Sequence, residues 1–198
     1  VMAARAHRVP VLLHEANAVP GKAVEFLSRY AVSTAVSLEE TAKWLPGRNV
    51  VCTGLPVRGD LLGCPRLGGV PEGAFTVFVT GGSQGARRVN ELVSQAMCLL
   101  KQAGEGDFFV IHQTGLADEA RVRETYETAG VRARVSAFIP EMGQAYAAAD
   151  LVICRAGAST CFELCLLGKP ALLIPLPSAV RNHQHLNAAA LVKSGGAD

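Results

Sequence analysis

The chain has 198 residues, 49% of them hydrophobic and 18% charged, the make-up of a globular, core-rich protein rather than a disordered one. That length holds one large domain or parts of two. A net charge of +2 with both signs interspersed leaves no basic footprint, so no nucleic acid partner is expected. No apolar run approaches the roughly 18 to 20 residues of a membrane span, and no signal peptide is visible. A cytosolic protein is expected, with attachment to a membrane surface left open.

Val1 to His7 reads as the end of a helix, directly before an apolar strand over Val9 to Leu13. A helix over Gly21 to Tyr30, a short strand over Val32 to Val36, a short helix over Leu38 to Lys43 and a strand over Asn49 to Cys52 follow. Thr53 to Gly73 is dense in glycine and proline and reads as a linker or inter-domain crossing. A second series then begins. Its strands are Phe75 to Val79, Phe108 to His112, Arg134 to Phe138, Leu151 to Cys154 and Ala171 to Pro175. Its helices are Arg87 to Lys101, Glu119 to Ala129, Met142 to Ala148, Thr160 to Leu167 and His183 to Ser194. Strands apolar on both faces, alternating with helices, predict an α/β fold of parallel sheets covered by helices on both faces. Ligands in such sheets sit at the carboxyl ends of the strands. The first helix reads as cut at its start, and Gly195 to Asp198 as a helix terminus leading elsewhere, so a fragment of a longer protein is expected.

The six cysteines form no C-x-x-C pair. Cys154, Cys161 and Cys165 lie in apolar segments and are expected to be buried thiols rather than metal ligands or disulfide partners.

The polar and glycine signals gather after the strands. Thr80-Gly81-Gly82-Ser83-Gln84-Gly85-Ala86-Arg87 joins a strand to a helix start. Glycines allow close backbone approach to an oxyanion, the first-turn N–H groups point at it, and Ser83 adds a hydroxyl. The loop lacks both G-x-G-x-x-G and the Lys-Ser/Thr ending of a P-loop, so neither NAD nor ATP is indicated. The competing reading is a tight turn that serves packing alone. After Cys154 comes Arg155-Ala156-Gly157-Ala158-Ser159-Thr160-Cys161-Phe162-Glu163. Thr160 and Glu163 form a capping-box pattern. Glu163 reads equally well as an acceptor for both hydroxyls of a ribose. Arg155 suits a phosphate or a neighbouring carboxylate. The last helix opens with Asn182-His183-Gln184-His185-Leu186-Asn187, whose amides suit sugar hydroxyls and whose Asn182 suits a helix cap. His183 and His185 point in different directions on a helix and make a poor metal pair. His14-Glu15-Ala16-Asn17 matches neither a zinc motif nor a nucleophile elbow, and no Ser-His-Asp or Cys-His arrangement is present.

In order along the chain stand His14-Glu15-x-Asn17 with Pro20-Gly21, Gly54-x-Pro56-Val57-Arg58, Gly81 to Arg87 with Asn90, Arg155-Ala156-Gly157-Ala158-x-Thr160-x-x-Glu163, and Gly168-x-Pro170 with His183-Gln184-x-x-Asn187-Ala188. Over nearly its whole length the chain resembles the MurG family, bacterial enzymes that transfer N-acetylglucosamine from UDP-GlcNAc to lipid I, giving lipid II for peptidoglycan. The resemblance implies the GT-B arrangement of two Rossmann-like domains, here incomplete. Residues 1–57 would be the C-terminal part of the acceptor-side domain, and 58–198 the donor-binding domain, truncated at its end. It further implies that Ser83 bonds a donor phosphate and that Arg58 lies at the domain junction near the diphosphate. Ile139 would present its backbone to the uracil. Ala158, Ser159, Thr160, Cys161, Phe162 and Glu163 would wrap the nucleotide, with Glu163 on the ribose. Gln184 and Asn187 would hold the GlcNAc hydroxyls, and Asn17 would reach the sugar or acceptor.

By the same resemblance the parent enzyme acts at the cytoplasmic face of the bacterial inner membrane, with membrane surface and lipid-linked acceptor as partners. It uses no cofactor and no metal. The family's proposed general base lies in an N-terminal glycine-rich loop absent here, so no catalytic residue is assigned and the isolated chain is expected to be inactive. Leu55 and Val24 depart from a frequent asparagine at their positions, which bears on the hinge and the acceptor side. Alternatives are another GT-B nucleotide-sugar enzyme, such as a glycolipid galactosyltransferase or a UDP-GlcNAc epimerase, and a non-catalytic nucleotide-sugar-binding module.

Overall fold

The computed structural model describes residues 1–46, 49–193 and 195. The chain forms two compact units. The first comprises Val1–Val57, Ala156–Phe162 and Pro175–Gly195, and the second Arg58–Arg155 with Glu163–Ile174.

In the first unit, helix α1 (Met2–Ala6) leads to a parallel sheet of β1 (Leu12–Glu15), β2 (Ser33–Val36) and β3 (Val50–Cys52), in the order β1-β2-β3. The register pairs Leu12 with Ser33 and Thr34 with Val50. The first strand starts later than the expected Val9 because residues 8 and 9 are used to end α1. Arg8 takes φ 57°, its N–H reaches the Arg5 carbonyl at 3.0 Å, and the Val9 N–H reaches the Ala4 carbonyl at 2.8 Å. This is a Schellman closure, built here without glycine. The helix expected over Gly21 to Tyr30 is α2 (Lys22–Leu27) followed by a 3-10 turn over Ser28–Tyr30. The one expected over Leu38 to Lys43 is a 3-10 helix over Glu39–Trp44. The unit's last helix is α7 (His183–Lys193), which buries Asn187, Ala188 and Leu191. The expected extension to Ser194 and the terminus over residues 196–198 lie outside the described residues.

The second unit is a five-stranded parallel sheet of β4 (Phe75–Thr80), β5 (Phe108–Gln113), β6 (Ala133–Ser136), β7 (Leu151–Cys154) and β8 (Ala171–Leu173), in the order β6-β5-β4-β7-β8. Successive side chains of a strand face opposite sides. Val77 and Val79 therefore share a core with Val89, Val93 and Met97 of α3 (Arg87–Gln102) and with Val122 and Tyr126 of α4 (Glu119–Thr128). Phe78 between them meets Tyr146 of α5 (Met142–Ala148) edge-on at 5.3 Å. The buried positions of α3 recur every four residues, the stripe by which a helix covers a sheet. Each of the apolar ones, Val89, Val93 and Met97, contributes about 1.5–3 kcal/mol.

The division between the two units falls between Val57 and Arg58, inside the stretch expected as a linker or inter-domain crossing. Its residues 58–67 are anchored on the second unit: Leu61 and Leu67 are buried, the Leu67 N–H reaches the Gln144 carbonyl at 3.1 Å, and a Cβ on Gly143 would stand 2.5 Å from the Cys64 sulfur. One expectation is corrected in this half of the chain. Of the three cysteines expected to be buried, Cys154 and Cys161 are, whereas Cys165 is exposed near the end of α6 (Ala158–Leu167).

Candidate functional site

Strand order reverses between β4 and β7, which pair in parallel with Thr80 opposite Cys154. Such a switch point opens a crevice at the carboxyl ends of the strands. The glycine loop leaves β4 at this place. Gly82 and Gly85 have φ of 93° and 77°, and the Gly85 N–H closes a turn onto the Gly82 carbonyl at 3.0 Å. Gly85 has no room for a side chain, since a Cβ would lie 1.9 Å from the Thr114 carbonyl oxygen. Gly115 is equally tight against the Gln84 carbonyl, at 2.2 Å. The loops after β4 and β5 thus interlock backbone to backbone. Helix α3 begins at Arg87 with Ala86 at its cap, and no side chain caps its first-turn N–H groups. Ser83 is exposed, and among the described residues nothing accepts or donates a hydrogen bond at its hydroxyl.

A buried polar network supports this loop from below. Asn90 gives its amide hydrogens to the Thr114 carbonyl at 2.8 Å and to Asp118 at 2.9 Å, so its Oδ1 accepts from His112 Nε2 at 3.2 Å. His112 Nδ1 is then unprotonated and accepts from the Tyr126 hydroxyl at 3.0 Å. Burial pushes the imidazole down to about 3, which agrees with this neutral ring. Its hydrogen bond from Arg121, with a further one from Asn90, holds the Asp118 carboxyl below its ordinary value.

Glu163, in the middle of α6, accepts from the Tyr146 hydroxyl at 2.9 Å and stands 4.0 Å from the Arg58 guanidinium. Its side chain is 14% exposed. Burial first, and then Glu163, pushes the Tyr146 hydroxyl well above the usual phenol range, so it stays a donor. The capping-box expectation is corrected: α6 begins at Ala158, which places Thr160 inside the first turn, and Glu163 turns to Tyr146 instead. Arg155 donates to the Ile174 carbonyl at 3.0 Å, and burial lowers its pKa. Ile139 is buried after β6, with its N–H donated to the Gln113 side chain at 2.8 Å.

In the first unit Glu15 is buried and organises the loop after β1. Its carboxylate accepts from the Asn17 N–H at 3.0 Å, the Asn17 amide at 3.1 Å and the Gly21 N–H at 3.0 Å. Asn17 Oδ1 accepts from Asn187 at 3.1 Å, and Asn187 also donates to the Ala156 carbonyl at 3.1 Å and accepts from Ala18 N–H at 2.9 Å. Both amide hydrogens of Asn187 are therefore committed inside the protein. Gln184 accepts from the Leu176 N–H at 2.9 Å and pins the exit of β8. Arg181 and Asn182, before α7, both have positive φ, and Arg181 pairs with Glu25. Of the candidates on α6, Ser159 is exposed and Cys161 buried, while Ala158, Thr160 and Phe162 are half-buried.

Sequence reasoning left Gln113, Tyr146 and Glu15 without roles. The signal for Gln113 was a second polar side chain, after His112, closing a strand that begins apolar. Tyr146 gave none, because a helix tyrosine in apolar surroundings reads as core.

A doubly wound parallel sheet with its glycine loop at the switch point defines a Rossmann-like α/β protein. Residues 76–198 match the glycosyltransferase family 28 C-terminal domain, and the chain belongs to that family. It is 41% identical over 216 residues to the UDP-N-acetylglucosamine--N-acetylmuramyl-(pentapeptide) pyrophosphoryl-undecaprenol N-acetylglucosamine transferase of Pelobacter propionicus, covering 98% of this chain and 56% of the relative. The transferase of the same description from Nitratidesulfovibrio vulgaris is 42% identical over 200 residues, covering 100% and 54%. Among solved structures, Acinetobacter baumannii MurG superimposes with a TM-score of 0.77 at 36% identity, covering 100% of this chain and 55% of that one. The glycotransferase of kitacinnamycin, at 20% identity and a TM-score of 0.60 over 85% of this chain and 41% of its own, shares the fold. The chain spans about half the length of the curated relatives it matches. The likeness to the MurG family drawn from the motifs is matched by these comparisons.

Proposed function

We propose that this chain carries the donor site of a glycosyltransferase that moves N-acetylglucosamine from UDP-GlcNAc to lipid I, forming lipid II. The observation that carries the reading is the glycine loop at the switch point, in a chain about 40% identical over its length to transferases of that description. In this reading residues 1–57 belong to the acceptor-side domain and 58–198 to the donor domain.

An inverting transfer needs a base on the acceptor hydroxyl and stabilisation of the departing diphosphate. The second task suits this chain. The open N–H groups of α3 and the exposed Ser83 hydroxyl meet the diphosphate, and the helix dipole favours its growing charge. Arg58, 4.0 Å from Glu163, adds a cation. Glu163, held by Tyr146, accepts the ribose hydroxyls, with residues 158–162 leading to it along the helix start. The Ile139 carbonyl faces the uracil, its N–H being given to Gln113. Gln184 and Asn17 supply sugar contacts, and Asn187 acts chiefly by fixing Asn17. In this reading an enzyme that works on a lipid-linked acceptor acts at the cytoplasmic face of the inner membrane, in cell-wall synthesis, and thereby in cell shape and division, with peripheral attachment. No described helix is long and apolar enough to cross a membrane.

Calorimetric titration with UDP-GlcNAc, UDP-glucose and the variant Glu163→Ala tests the proposal. Binding that prefers the GlcNAc donor and collapses in the variant is expected. Equal binding by wild type and variant would remove Glu163 from the site, and absence of any uridine nucleotide binding by folded protein would sink the donor reading.

A further inference from the structure

Gln113 closes β5 and is 2% exposed. Its Oε1 accepts the Ile139 N–H at 2.8 Å, and its Nε2 donates to the Gly82 carbonyl at 3.1 Å and to Thr80 Oγ1 at 3.3 Å. The orientation of the amide is fixed by its partners, since a peptide N–H only donates and a carbonyl only accepts. The same two oxygens also define the glycine turn: Thr80 Oγ1 accepts from the Gly82 N–H at 3.1 Å, and the Gly82 carbonyl from the Gly85 N–H at 3.0 Å. One rigid, buried amide is therefore bonded at one end to the backbone beside the proposed uracil and at the other to the proposed phosphate turn.

We infer that Gln113 is a positioning residue that couples nucleobase selection at Ile139 to diphosphate binding at the Thr80–Gly85 turn. The inference rests on the donor reading above. A planar amide cannot let the Ile139 peptide tilt without moving its own nitrogen against Gly82. Both of its hydrogens and the facing lone pair are engaged, so little slack is left. A turn distorted at Gly82 would in the same way pull the Ile139 peptide out of line with the base. Uracil carries an N3–H and a C4 carbonyl, whereas cytosine carries a bare N3 and an amino group. A displaced backbone acceptor at Ile139 discriminates poorly between these two patterns.

The test is titration of the 198-residue chain with UDP, UMP and CDP, comparing wild type with Gln113→Met and Gln113→Glu. Two ratios are read, Kd for UMP over UDP and Kd for CDP over UDP. Partial unfolding changes the active fraction and leaves both ratios alone. In Gln113→Met both ratios fall by about threefold to tenfold, the size of one modest hydrogen-bond loss. Gln113→Glu is the sharper variant, because it keeps the oxygen facing Ile139 and loses only the donor to Gly82 and Thr80. Its added charge weakens phosphate binding by itself, but a fall in the CDP/UDP ratio comes only through the released turn. Both ratios falling in Gln113→Glu supports the coupling, and this variant alone carries the test where Gln113→Met does not fold. A CDP/UDP ratio that stays at the wild-type value overturns it, because the two ends are then held independently. Wild-type protein that binds no uridine nucleotide overturns the donor reading, and the coupling with it.

Discussion

Acidification to pH 5 attacks the network under the glycine loop through His112. The imidazole sits at about 3 when folded, against an ordinary 6.5, because burial disfavours its charged form. A depressed folded value means that the unfolded chain binds the extra proton first. The stabilisation from the neutral ring is thus fully present above about pH 6.5 and is lost as pH falls from there toward 3. At about 1.4 kcal/mol per pH unit, moving from pH 7 to pH 5 removes about 2 kcal/mol from this residue alone. Urea unfolding followed by circular dichroism at both pH values measures the loss. The variant His112→Gln keeps a donor toward Asn90 and has nothing to titrate, so its loss should be smaller by about that amount. The protonation map predicts also that nitrogen NMR finds the hydrogen on Nε2 at neutral pH. An equal loss in wild type and variant, or an imidazole that titrates near its ordinary value, would refute both the neutral ring and the hydrogen-bond directions drawn from Asn90.

Two glycines of the loop should respond differently to alanine. Gly82→Ala meets open space and costs only the left-handed backbone, about 1–2 kcal/mol, whereas Gly85→Ala also drives a methyl into the Thr114 carbonyl and should cost distinctly more by thermal unfolding. Comparable costs would show that the β4 and β5 loops do not interlock. Tyr146→Phe removes the donor to Glu163 and should lower stability by about 1–2 kcal/mol while weakening UDP-GlcNAc binding in titration; unchanged affinity would mean that Tyr146 does not orient Glu163. Glu15→Gln turns one acceptor oxygen into a donor facing either the Asn17 N–H groups or the Gly21 N–H, and a loss of about 1–3 kcal/mol is expected from chemical denaturation.

The class of fold and most of its segments were legible in the sequence because they rest on local patterning. Apolar strands such as Leu151–Cys154 and the helix Met142–Ala148 fall where their periodicity puts them. The glycine loop declared itself through residue types that only a positive φ or a close approach requires, and Gly82 and Gly85 have both features between them. Ends of elements were less legible, as at Arg8, where a non-glycine residue takes the left-handed turn that closes α1 and delays the strand. The partners of polar side chains were decided only by tertiary structure. Thr160 and Glu163 carry the spacing of a capping box, yet the helix starts earlier and Glu163 is claimed by Tyr146, a residue far away in sequence. Gln113 finds Gly82 and Ile139 only because parallel strands bring three separate loops to one end of the sheet. Hydrophobic periodicity is written residue by residue along the chain, whereas a buried hydrogen bond depends on which distant atoms the packed sheet leaves unpaired beside it.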